Sequence, residues 1–123
     1  MRALLLDLLK ETNLYISSHS IYISKFEKAL QDRTTFEHKT CRECAFGQRF
    51  YSTVYPHMEE FEDDVRKALE EIEKIHCDFH QTLSKIDTRN PVDGYEEDLR
   101  HAKNLSTQLI QKLLQLRRLI TSS

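Results

Sequence analysis

The stretch FEDDVRKALEEIEKIHCDFHQTLSKI, residues 61–86, contains neither glycine nor proline and repeats its apolar residues at helical spacing. Phe61, Val65, Ala68, Leu69, Ile72, Ile75, Phe79, Leu83 and Ile86 recur at intervals of three and four, which predicts an amphipathic helix with one buried side. Pro56 suits a helix start, and Glu59, Glu60, Glu62, Asp63 and Asp64 place negative charge where the macrodipole favours it. The expected helix therefore runs from Pro56 to about Asp87. His76 and His80 lie on or beside its apolar face. Side chains four residues apart on a helix stand one above the other, close enough to hold a single metal ion.

Working outward, Leu5, Leu8, Leu9, Tyr15, Ile16, Tyr22, Ile23, Phe26 and Leu30 predict one long helix from about Ala3 to Leu30. Thr12 and His19 fall on its inward seam, and a histidine aimed at the interior needs a partner there. Residues Phe36 to Tyr51 are too short and broken for a full helix, so one or two helical turns are expected, with Gly47 as punctuation. The break NPVDGYEE carries Asp93 and Glu96 at capping-box spacing and predicts a last helix lined by Leu99, Ala102, Leu109, Leu113, Leu116 and Ile120. Lys112, Arg117 and Arg118 complement that helix's C-terminal end. Three long helices and a short second segment pack most economically as an all-α, antiparallel four-helix bundle.

The chain has 123 residues, the size of a single domain spanning 1–123, and only two glycines and two prolines against 31% charged residues of mixed sign. That composition disfavours an all-β or loop-rich fold. A net charge of -2 with no basic stripe argues against a nucleic-acid partner. Asp7 interrupts the apolar start MRALLLDLLKETN and no cleavage site follows, so neither an export signal nor membrane insertion is expected. Three cysteines in a chain of this kind read as free thiols or metal ligands in the cytoplasm, away from a disulfide scaffold.

A four-coordinate ion held by His76 and His80 needs two more donors from His19, Cys41 and Cys44. A zinc finger is excluded because the gap between Cys44 and His76 is far too long. A thioredoxin-like role for CREC would want a βαβ context that the pattern lacks. Cys77 points about 100° from its neighbour His76 on the helix and reads as a small buried hydrophobe. His38, His57 and His101 lie on polar stretches and read as surface residues, with His57 a reserve ligand. A di-iron bundle would need Glu-x-x-His on each of two helices with further inward glutamates, and the sequence holds that tetrapeptide once, at Glu73–His76.

His19 with Tyr22 and Lys25 in HSIYISKFEKAL, then CAFGQRFY from Cys44 to Tyr51, then His76 and His80 in IHCDFH, together resemble the chemoreceptor zinc-binding domain (CZB) family. This is a bacterial all-helical module with a three-histidine, one-cysteine zinc site. CAFGQRFY is similar to the family's C-x-[LF]-G-[KR]-W-[LY] signature. The resemblance implies Zn2+ as cofactor, His19, Cys44, His76 and His80 as its ligands, and Cys41 as a non-ligand. Gln48 and Arg49 replace the family's usual basic residue and tryptophan, which implies more polar surroundings for the cysteine.

A closed set of four protein donors leaves zinc no open position for water, so catalysis is not expected. What the resemblance implies instead is a sensory or regulatory domain that reads zinc or oxidants and acts on chemotaxis or cyclic-di-GMP signalling. It also implies a homodimer, with a signalling protein or a fused effector domain as partner. The alternative is a metal-independent helical dimerisation or interaction module with hydrogen-bonded seam histidines. A zinc hydrolase or a thiol oxidoreductase ranks below both.

Overall fold

The computed structural model describes residues 2–121, and these are all-helical, with no strand among them. Helices α1 (Arg2–Leu9) and α2 (Thr12–Asp32) are followed by a coil and a short helix α3 (Ala45–Arg49). A π-helical turn (Phe50–Val54) and a 3-10 turn (Tyr55–Glu60) lead to α4 (Asp63–Ser84), and α5 (Tyr95–Thr121) closes the fold.

The long helix expected over residues 3–30 is broken at Lys10–Glu11. Thr12 turns its hydroxyl back to donate to the Leu9 carbonyl, and such back-bonding competes with the helix ladder and bends it. Arg49 spans the break, pairing with Asp7 Oδ2 at 3.1 Å on one side and with Glu11 at 3.4 Å on the other. Helix α2 ends on Arg33 in the left-handed region (φ 56°), while the Thr34 amide donates to the Ala29 carbonyl at 2.9 Å, a capping arrangement that satisfies the last carbonyls.

The third long helix is shorter than its sequence pattern predicts. Pro56 sits in the 3-10 turn, and the extended backbone of Phe61 (ψ 152°) stops the helix from starting before Asp63. Phe61 is buried as its place in the periodicity predicts, although it lies just outside the helix. Gly47 does not punctuate anything. It lies inside α3, where a Cβ would come within 1.8 Å of the Cys41 carbonyl oxygen, so the close approach of that turn requires glycine. The last helix starts at Tyr95, after a turn in which Gly94 adopts φ +91°.

Two apolar clusters form the core. One gathers Leu5, Leu8, Leu9 and Tyr15 with Phe46, Phe50, Leu69, Ile72, Leu109, Leu113, Leu116 and Ile120. The other gathers Phe26 and Leu30 with Phe79, Leu83, Ile86, Ala102 and Leu105. Helices α2 and α4 each enter the first cluster with their N-terminal half and the second with their C-terminal half, whereas α5 does the reverse. So α5 runs back along α4, and α2 and α4 point the same way. His19 follows Tyr15 by one turn and His76 follows Ile72 by one turn, which places the histidines where the two clusters meet.

Candidate metal centre

Three elements deliver four donor side chains to one point. Helix α2 supplies His19, α4 supplies His76 and His80 on successive turns, and Cys44 stands at the N-terminus of α3. One ligand atom from each of these four residues lies within 4.8 Å of every other, and all four residues are buried. Cys44 Sγ is 3.0 Å from His76 Nε2 and accepts the Gly47 amide at 3.4 Å. The i,i+4 spacing on α4 brings the His76 and His80 rings to 4.8 Å, and His19 stacks on His76 at 5.2 Å.

Aromatic rings wall the cluster off from solvent. Phe79 stacks on His19 at 5.0 Å, Phe46 meets His76 edge-on at 4.9 Å, and Tyr22 meets His80 at 5.2 Å. Tyr22 is itself moored by accepting the Lys39 amide at 3.0 Å, which holds the coil after α2 over the site.

This dry setting keeps all four groups neutral. Burial pushes the imidazoles of His19 and His80 down to about 4 and that of His76 to about 2, and the mutual repulsion of the three rings adds to the effect on His19 and His76. Burial also pushes the Cys44 thiol up, against the smaller opposing pull of the Gly47 and Phe46 amides. Yet three ring nitrogens in this interior, His19 Nε2 and both nitrogens of His80, have no hydrogen-bond partner among the described residues. Each orphaned buried polar atom costs about 1–3 kcal/mol. A cation shared by the set removes that cost, and three imidazoles with one thiolate are a donor set that suits tetrahedral zinc. The residues present therefore fit the ion.

The structure brings together the four sequence-predicted ligands and leaves His57 and His101 outside; His57 is paired with Glu60 instead. His38 is no surface residue, since it is half-buried against Phe26 and Phe36. Arg49 reaches Asp7 and Glu11 and away from the thiol, so Cys44 keeps apolar company in spite of the polar substitution two residues after Gly47.

The expectation of free thiols fails for two of the three cysteines. Cys41 and Cys77 form a disulfide, and only Cys44 is free. Cys77, read from the sequence as a buried hydrophobe, is half-buried and faces Tyr51, whose hydroxyl lies 3.4 Å from its sulfur and donates to Glu73 at 2.7 Å. The rotation of Cys77 off the His76 face is what directs it toward Cys41. The spacing gave the direction but not the partner.

Among the described residues no helix is long and apolar enough to cross a membrane. A model of the family described as the chemoreceptor zinc-binding domain matches residues 19–86, more than half of the chain, and the match begins on His19 and extends past His80. Comparison with curated proteins and with solved structures finds no match.

Proposed function

Because the chain belongs to the chemoreceptor zinc-binding domain family, we propose that it is a bacterial, cytoplasmic sensory or regulatory domain in which His19, Cys44, His76 and His80 hold a zinc ion. The observation that carries this reading is the convergence of four buried donors from α2, α3 and α4 within 4.8 Å, with orphaned imidazole nitrogens among them. A bound zinc ion would link these three elements and hold Cys44 as a thiolate at neutral pH.

Each residue then has a distinct part. His76 and His80 give the site its base on α4, and His19 brings α2 to it. Cys44 is the one soft, oxidisable donor. Its conversion to sulfenic acid removes the thiolate and frees the start of α3, while depletion of the metal leaves the imidazoles unpartnered between the two apolar clusters. Either event loosens the packing of α2 on α4, the kind of local change that a signalling partner reads. We place the output in chemotaxis or cyclic-di-GMP signalling, through a separate partner or a fused effector. A homodimer is supported by the exposed Leu14 and Ile21, two turns apart on the outer side of α2, and the helix directions support an antiparallel four-helix bundle. Four protein donors leave no position for a reacting water, so the domain is no enzyme.

Metal analysis of the purified chain tests the reading. About one zinc per chain is expected, lost on His76→Ala and on Cys44→Ala; a metal-free wild-type protein would overturn it.

A further inference from the structure

The Cys41–Cys77 pair belongs to no part of the proposed zinc set, yet it is attached to that set at both ends. Cys41 lies three residues before Cys44, in the turn that Gly47 presses against, and its carbonyl oxygen is 3.9 Å from Cys44 Sγ. Cys77 directly follows His76 on α4. The disulfide therefore joins a residue one turn before Cys44 to the immediate chain neighbour of His76, the two donors whose atoms approach to 3.0 Å, across a sequence separation of 36. Cys44 is buried, whereas Cys41 and Cys77 are both only half-buried, so small solutes reach the pair before they reach the metal thiol.

The surroundings also provide for the open form. Tyr51 gives its proton to Glu73, which leaves the phenolic oxygen as an acceptor 3.4 Å from Cys77 Sγ. A disulfide sulfur has no proton to place there, but a Cys77 thiol does. Arg42, beside Cys41 in sequence, lies over the Tyr51 ring at 4.0 Å and holds it in position.

We infer that Cys41 and Cys77 form a reversible dithiol–disulfide site, open to peroxides and to small thiols, whose closure sets how tightly the neighbouring His3Cys site holds its metal. This rests on the zinc reading given above. In the forward direction the Cys41 sulfur attacks hydrogen peroxide. The O–O bond breaks, and a sulfenic acid and one water result, the water carrying the thiol proton. The Cys77 sulfur then attacks the Cys41 sulfur. The S–S bond forms, the S–O bond breaks, and hydroxide leaves with the Cys77 proton as a second water. Two thiols are thus oxidised by two electrons while the peroxide is reduced to two waters. In the reverse direction one glutathione opens the disulfide as a mixed disulfide and a second leaves with it as oxidised glutathione, restoring both thiols. Closure fixes the turn bearing Cys44 against the turn bearing His76, so these donors no longer have to be ordered when the metal binds.

The test uses the full chain in two states, treated with hydrogen peroxide while zinc-loaded or with excess reduced glutathione. Thiol alkylation read by mass spectrometry counts open cysteines, and competition with a chromophoric chelator gives zinc affinity in each state. We expect Cys41 and Cys77 to become alkylatable in glutathione and protected after peroxide, with zinc held about tenfold more tightly in the closed state. Cys77→Ser is expected to keep one zinc and lose the redox dependence, and Cys41→Ser provides the same readout should that variant misfold. A pair that stays closed in excess glutathione overturns the inference, as does equal zinc affinity in the two states, and both leave the zinc reading standing. A chain that takes up no zinc in either state overturns both.

Discussion

Adding zinc to the metal-free chain at pH 6 gives a proton count that depends on how buried the site is. A metal displaces only those protons that its ligands carry beforehand. With His19 and His80 near 4 and His76 near 2, the three imidazoles are almost entirely unprotonated at pH 6. The Cys44 thiol, pushed up by burial, is fully protonated and must give up its proton. The expected release is about one proton per zinc, unchanged between roughly pH 6 and 7.5. The same four side chains in an open, hydrated setting, with histidines at their ordinary value, would release about three protons at pH 6, falling toward one above neutrality. Isothermal titration in buffers of different ionisation enthalpy reads this number directly. A count near three at pH 6, or one that climbs steeply as pH falls through 7, would refute the account of a preformed, desolvated site.

The metal-free fold should also be acid-labile. All three histidines titrate lower in the folded chain than in the unfolded one, so below about pH 6.5 the unfolded state binds more protons and stability falls as pH drops toward 4, by up to about 4 kcal/mol per unit if all three respond; urea unfolding at several pH values checks the slope. Gly47→Ala places a Cβ against the Cys41 carbonyl and is expected to lower stability by about 1–3 kcal/mol, seen as a lower urea midpoint. Phe79→Ala opens a void beside the His19 ring and in the second apolar cluster; a loss of about 3–5 kcal/mol is expected, and a loss under 1 kcal/mol would mean that Phe79 does not wall the site.

What could be read from the residues and what could not divide along a physical line. The face from Leu69 to Leu83 and the placing of His76 and His80 on successive turns follow from helical period alone, and both are found in place. His19 and Cys44 needed the family signature, because period and spacing left Cys41 an equal candidate. Features decided by a single non-periodic contact were not legible. The break at Lys10–Glu11 has no glycine or proline to announce it and comes from one threonine hydroxyl. The start of α4 is displaced past Pro56 by extended backbone at Phe61 and Glu62, which the periodicity would have placed inside the helix. The disulfide depends on the approach of two residues far apart in sequence, and the rarity of such bonds in reducing compartments argued against it. The half-buried position of His38 similarly arises from the coil after α2 folding back onto Phe26.

The central claim is tested most directly by zinc K-edge X-ray absorption on the purified chain. The account predicts about one zinc per chain with three nitrogen neighbours at roughly 2.0–2.1 Å and one sulfur at roughly 2.3 Å. A shell of oxygens, or one holding two sulfurs, would contradict it.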